Sequence, residues 1–212
     1  MRKSPERVTL RDIMRLYHQP RSRSVRALWA LEEAGAEYDL QPISREDKQA
    51  PWYRALHPLG RAPVAELDGG PLFESAAIVW QVCDASPAAG LTAPVGSYER
   101  GLQYQWSFFA ASEIEPPLNE IARQLWGEGE PDEDAIAGAR GRFADRVAVV
   151  AAALEGNEFL VGGRFSVADL TVGAITGFAK MAELAELPAA VDAYVVRLEA
   201  RPALVSARAR QA

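Results

Sequence analysis

What the chain is short of narrows the possibilities first. Cysteine occurs once, at Cys83, so no disulfide can form within the chain and no CxxC redox pair or zinc ribbon can be built. A reducing compartment, the cytoplasm, is the expectation. Histidine occurs twice, as His18 and His57, without the close spacing of ligand pairs. No metal site is therefore expected, and both residues read as solvated or turn histidines. No run approaches the roughly 18 uninterrupted apolar residues of a membrane span. The opening MRKSPERVTLRD is charged and has no apolar centre of the secretory kind. An excess of positive charge is missing too: 23 Lys and Arg stand against 29 Asp and Glu, a formal net charge of -6. That balance argues against a duplex nucleic-acid surface.

What is present is ample core material. The chain has 212 residues, 49% of them apolar and 25% charged, which suits a globular protein of one or two domains. Residues 1–13 read as a loose leader. From Met14 the pattern alternates: IMRLYHQ suits a strand, Ser22 to Ala34 a helix, and EYDLQPI a second strand, together a βαβ unit with short connections. PWYRALHP reads as helical or irregular. In APVAELDGGPLFE, two apolar runs flank Asp68-Gly69-Gly70, a hairpin signal because glycine tolerates positive φ. A helix then starts at Ser75. The order β-α-β-x-β-β-α resembles the thioredoxin-like fold, here over residues 14–86.

ASPAAGLTAPVGS, about residues 87–97 in its core, is rich in Pro, Gly and Ala and reads as a linker between domains. Everything after it, 98–212, is expected to be helical. Leu102, Trp106 and Phe109 share one face of the first helix, and Tyr104 with Phe108 makes a second stripe, so this helix is expected to be buried on two sides until Pro116-Pro117 interrupts it. A long helical period runs from about Glu133 through Leu154. Gly162-Gly163 makes a turn, and Ser166 with Asp169 reads as a cap with its acidic partner. Two further helices are expected around 188–200 and 202–210, the latter with Pro202 in its first turn. Cys83, four residues after Val79 on a helix, reads as a small buried hydrophobe.

The chemistry gathers at three places. A helix starting near Ser22 offers unpaired backbone N–H groups and a partial positive charge at the end of a strand. Such a place suits an anion, and it would favour a thiolate over a thiol with a hydroxyl from Ser22 or Ser24 as an added donor. From this stretch alone Ser22 reads first as a plain helix cap, with Arg23 and Arg26 on the helix flank. In HPLGRAPV, Pro63 suits a cis turn, leaving the Val64 N–H and C=O to pair with an extended peptide, and Arg61 is a cation or a surface charge. At Glu74-Ser75, where strand passes to helix, a hydroxyl and the following amides suit a carboxylate and Glu74 an ammonium. Taken together these parts match the groups of glutathione.

LYHQPRSRSVRALWALEEAG, HPLGRAPVAELDGGPLFES and RFSVADL, in this order from Met14 to the C-terminus, resemble the cytosolic glutathione S-transferase family. The resemblance implies a thioredoxin-like domain followed by an all-α domain, glutathione as cosubstrate with no metal, a small hydrophobic electrophile, and a homodimer with a detoxifying, transferase role. It places Arg61 on the glycine carboxylate, Pro63 as the cis-proline, Val64 as the backbone clamp, and Glu74 and Ser75 on the γ-glutamyl group. The SRS at the helix start resembles the serine-using bacterial and fungal branches. That makes Ser22 the first catalytic candidate, Ser24 the second and Tyr17, which aligns with the tyrosine of other branches, the third. Tyr104 and Phe108, with Ser112 and Glu113, are candidates to line the electrophile pocket or simply to pack. Glutathione-dependent peroxide reduction or isomerisation, and a non-catalytic binding or regulatory module, remain as alternatives.

Overall fold

The computed structural model describes residues 14–211; the leader expected at 1–13 lies outside them. The described chain forms two compact units. One runs to Thr92 and takes back the chain from Pro202 onward; the other is Ala93–Arg201.

In the first unit, β1 (Met14–His18) passes through a turn into α1 (Ser24–Ala34), β2 (Tyr38–Pro42), α2 (Pro51–Leu56), β3 (Val64–Leu67), β4 (Gly70–Phe73) and α3 (Ser75–Ala85). The sheet order is β2-β1-β3-β4, with β1 parallel to β2 and antiparallel to β3. This is the thioredoxin-like arrangement. α1 stops at Gly35, whose φ of 60° supplies the left-handed cap and closes the helix on the carbonyls of Glu32 and Leu31. The Asp68-Gly69 turn joins β3 to β4 with Leu67 opposite Gly70.

Alternation along β1 divides the sheet's two faces. Tyr17 and Val64 pack with Tyr53 of α2 and Ile43, whereas Met14, Leu16 and Ala65 are fully buried on the other face. There α1 and α3 pack against each other, and Leu28, Leu31, Ile78 and Val82 on them are all at 0% exposure. Cys83 is buried in the same layer.

The last helix, α9 (Pro202–Ala209), packs on α1. Ser206 Oγ donates to Glu32 at 2.7 Å and Arg210 Nε lies 2.9 Å from the same carboxylate, while Tyr38 donates to it across the first unit. Its contacts therefore place α9 with the first unit, although in sequence it follows the helices of the second.

The second unit comprises α4 (Tyr98–Phe109), a π-helical turn over Ala110–Ile114, α5 (Glu115–Trp126), α6 (Glu133–Ala153), α7 (Val167–Met181) and α8 (Ala189–Glu199). Pro116-Pro117, expected to interrupt the helix, falls in the first turn of α5 directly after the π-helical turn, and the backbone stays helical through the junction. The double-sided burial expected for α4 is not observed. Gln103, Trp106 and Ser107 are buried, Ser107 accepting from Thr171 of α7 at 3.3 Å. Tyr104 and Phe108, on the other side, are 38% and 67% exposed and stack on each other. Ser112 and Glu113 are exposed as well, with Glu113 paired to Arg146. The segment read as a linker ends firmly: Ala93 donates its N–H to Gln103 and accepts from Arg100 through its C=O.

At the start of α7 the capping box forms. Asp169 is fully buried, and its carboxylate accepts from the amides of Ser166 and Leu160 at 2.9 Å each, from the Ser166 hydroxyl, and from Tyr194 at 3.1 Å. Burial pushes its pKa up while these donors oppose that shift. Replacing it strands several buried donors at once. Asp169→Ala is therefore expected to lower the unfolding free energy by roughly 3 kcal/mol, read from the urea midpoint.

Candidate active site

The sheet register lines up the ends that matter. Tyr17 of β1 is paired with Val64 of β3, which is paired in turn with Phe73 of β4; on the other side Tyr17 pairs with Gln41 of β2. The segments that leave the sheet beyond these positions depart from one end: the Gln19–Arg23 turn, the 43–50 connection, Arg61–Pro63 and Glu74–Ser75. Two of them are strained. Among the described residues three non-glycines have positive φ, and two are Arg21 (56°), in the turn that leads to α1, and Glu74 (73°), immediately ahead of α3. Such conformations persist where surrounding contacts enforce them, typically at binding sites.

The turn before α1 is tied by hydroxyls. Ser22 Oγ donates to the Gln19 carbonyl at 2.7 Å and lies 2.9 Å from Ser24 Oγ. Ser24 offers its amide to Ser22 Oγ at 3.2 Å and accepts from the Gln19 amide at 3.3 Å. With the Ser22 proton on Gln19, the hydroxyl between the serines is donated by Ser24 to Ser22, which leaves both Ser22 lone pairs engaged and its O–H polarised to donate. The helix starts at Ser24, with Arg23 in the capping position and no side-chain cap bond. Ser22, expected as the cap itself, thus stands two residues ahead of the helix and organises the turn. Ser24 is fully buried, Ser22 half-buried.

Tyr17 takes no part in this network. Its hydroxyl donates to Glu66 at 3.0 Å and its ring packs against Trp52 and Tyr53 on the α2 face of the sheet.

The Ala62-Pro63 peptide is cis. Val64 differs from expectation: it lies inside the sheet between β1 and β4 and is fully buried, so its backbone does not stand at an open edge. The residue just ahead of Pro63, Ala62, lies outside the strands and is half-buried, and the preceding Arg61 carbonyl accepts from Tyr53 at 2.8 Å. Arg61 is exposed. Glu74 is exposed, and its carbonyl accepts the Ile78 amide. Ser75 opens α3 at 4% exposure and accepts from Arg26 Nη1 at 3.4 Å, which leaves its own proton available.

Arg26, expected on the solvated flank, is 8% exposed and links the starts of α1 and α3; an arginine beside a helix's apolar face gives no sequence sign of which way it turns. Lys48 was not singled out at all. From the β2–α2 connection its ammonium reaches Gln19 Oε1 at 2.6 Å, bringing a cation to the turn before α1. It sits in a polar stretch, SREDKQ, with no periodicity to mark it. Neither histidine is solvated: His18 is 4% and His57 3% exposed. Burial pushes the pKa of both down, so both are neutral near pH 7. His18 Nδ1 is buried without a partner.

Gly60 shows how tightly the cis-proline loop is held. At φ +57° an added Cβ would stand 2.2 Å from the Lys48 carbonyl oxygen. Gly60→Ala is expected to lose roughly 2 kcal/mol through backbone strain and the displaced Lys48 segment, measurable by urea denaturation.

These features define a thioredoxin-like α/β unit with a serine-tied turn at a helix start and a cis-proline loop, accompanied by a helical unit. Residues 13–80 match the family model for the glutathione S-transferase N-terminal domain, and residues 101–202 that for the glutathione S-transferase C-terminal domain. Among similar sequences, the probable glutathione S-transferase GSTF2 of Oryza sativa subsp. japonica is 31% identical over 202 residues, covering 89% of this chain and 93% of the relative. Glutathione S-transferase GstA of Escherichia coli O157:H7 is 26% identical over 196 residues, covering 89% and 94%. A crystal structure of a glutathione transferase from Methylococcus capsulatus superposes with a TM-score of 0.81 at 27% identity, over 94% of this chain and 98% of that one. The chain belongs to the glutathione S-transferase family, and its activity at that level is that of a glutathione transferase.

Proposed function

We propose that this chain activates the glutathione thiol by the serine-assisted route and directs the thiolate at a small hydrophobic electrophile. The observation that carries the reading is the Ser22 hydroxyl, whose lone pairs are engaged by the Ser24 amide and hydroxyl. Such a group serves an incoming sulfur only as a donor, and a donor lowers a thiol's pKa by stabilising the anion. Turning from the Gln19 carbonyl to the sulfur exchanges a neutral hydrogen bond for a charge-assisted one. The amides at the start of α1 add their partial positive charge. Ser24 acts through Ser22. Tyr17, bonded to Glu66, is the weaker candidate. Cys83, fully buried on α3, gives no support to a protein-thiol route.

The tripeptide is held by backbone and charge. The Ala62 N–H and C=O, next to Pro63, take the peptide backbone in place of Val64. Lys48 and Arg61 face the glycine carboxylate. Glu74 accepts from the γ-glutamyl ammonium, and the Ser75 hydroxyl, already accepting from Arg26, donates to the γ-glutamyl carboxylate with the first amides of α3. In the reaction the sulfur lone pair forms the new C–S bond, the leaving group departs with its electron pair, and the thiol proton passes to water. Catalysis here is positioning and electrostatics, with the nucleophile brought by the cosubstrate. A cytoplasmic homodimer is the setting that fits the single cysteine and the family.

Calorimetric titration of glutathione, with thiolate absorbance followed against pH, tests this directly. Saturable binding with a lowered thiol pKa is expected, and binding without that shift defeats the thiolate mechanism. Ser22→Ala is expected to raise the bound thiol's pKa and lower kcat on the order of a hundredfold, as loss of one donor to a reacting anion does, while Tyr17→Phe stays near wild type. Arg61→Ala raises the KM for glutathione roughly tenfold with kcat little changed. A silent Ser22→Ala beside an inactive Tyr17→Phe would reverse the assignment.

A further inference from the structure

The proposed glutathione site is assembled from two separate stretches, the loop carrying Arg61 and Ala62 and the β4–α3 junction carrying Glu74 and Ser75. One buried side chain touches both. His57 ends α2, where its N–H bonds the Tyr53 carbonyl at 2.8 Å, and its C=O accepts the Gly60 amide at 2.8 Å. Its imidazole Nδ1 accepts the Leu59 amide at 3.2 Å, and its ring stacks on Phe73, centroids 4.9 Å apart and planes tilted by 35°. Phe73 is the residue before Glu74.

We propose that His57 is a positioning residue for glutathione: through Nδ1 it fixes the loop that leads to Arg61 and Ala62, and through its ring it holds that loop against the strand that ends at Glu74. The inference rests on the glutathione reading above and adds the element that keeps the two halves in register. Its chemistry is specific to a neutral imidazole. A ring that accepts at Nδ1 carries its proton on Nε2, and protonation at Nδ1 removes the acceptor that Leu59 requires. The charged groups near the ring are Arg54 of α2, Arg61 of the loop and Glu74 before α3. Burial, the largest influence, and the two arginines favour the neutral form, and Glu74 and the residue's own backbone oppose them. Because the folded pKa is lowered, the staple is intact at neutral pH and is lost as pH falls through that lowered value.

Three variants separate the contacts. His57→Phe keeps a ring for Phe73 and loses the acceptor; His57→Asn restores an acceptor near the Nδ1 position; His57→Ala loses both. His57→Phe is expected to raise the KM for glutathione about tenfold, the size of one hydrogen bond, with kcat within about twofold of wild type. His57→Asn recovers most of that loss. Wild-type KM rises as pH falls from 7 towards 5, and His57→Asn lacks this rise. Hydrogen exchange at the Leu59 amide reads the staple without ligand: protection in wild type and His57→Asn, and its loss in His57→Phe, are expected. Equal Leu59 protection in wild type and His57→Phe, or an unchanged KM in His57→Phe, overturns the inference. Failure of wild type to bind glutathione overturns the proposed function instead, whatever the exchange at Leu59 shows.

Discussion

The register of a four-stranded sheet is the constraint on which the site depends. Tyr17, Val64 and Phe73 stand in line across three strands, so the chain leaves the sheet at one end in three places at once. A slip of one residue in either pairing would turn the following segment to the other face. Glu74 and the cis-proline loop would then no longer leave the sheet in line with the turn before α1. The strained backbones at Arg21 and Glu74 follow from the same demand: Glu74 alone carries the chain from β4 into α3, and Arg21 bends the five-residue turn between β1 and α1.

Around that line the polar groups are arranged in pairs that settle which atom donates and which accepts. Ser24 gives both its amide and its hydroxyl to Ser22; Arg26 gives to Ser75; Leu59 gives to His57. In each case the protein supplies the donor and leaves the recipient with a defined remaining capacity. A hydroxyl whose lone pairs are occupied in this way keeps its proton as the one group it can offer. The cations Lys48 and Arg61 come from loops, while the hydroxyls come from helix starts. Charge is thus provided by adjustable side chains and geometry by fixed ones.

Much of this was legible in the sequence where local chemistry decides it. The Asp68-Gly69 turn, the capping box at Ser166 and Asp169 and the proline-led α9 follow from rules about backbone conformation and unpaired amides, which neighbouring residues determine, whereas Pro116-Pro117 reads as an interruption and instead lies in the first turn of α5. The serines at the entrance of α1 could be singled out for the same reason, although which of them caps and which donates needed the distances. What local rules do not govern was harder to see. Arg26 turns inward because Ser75, 49 residues away, gives it a partner. Lys48 reaches Gln19 across 29 residues. Val64 reads as an available backbone in sequence because its strand neighbours on both sides are remote. Tyr104 and Phe108 form a helical stripe like any buried one, and only packing reveals that α7 covers the opposite side of α4.

The Glu32 contact has a consequence for how the first unit folds. Ser206 and Glu32 are 174 residues apart, with the whole of the second unit's sequence between them. The α1 surface that receives α9 can therefore be covered only after a very long loop closes. Closure of so long a flexible loop carries an entropic penalty that grows with the logarithm of its length, but the intervening chain is not flexible once its own helices have packed. Covering that α1 surface is thus a step that depends on nonlocal contact, the kind that slows folding.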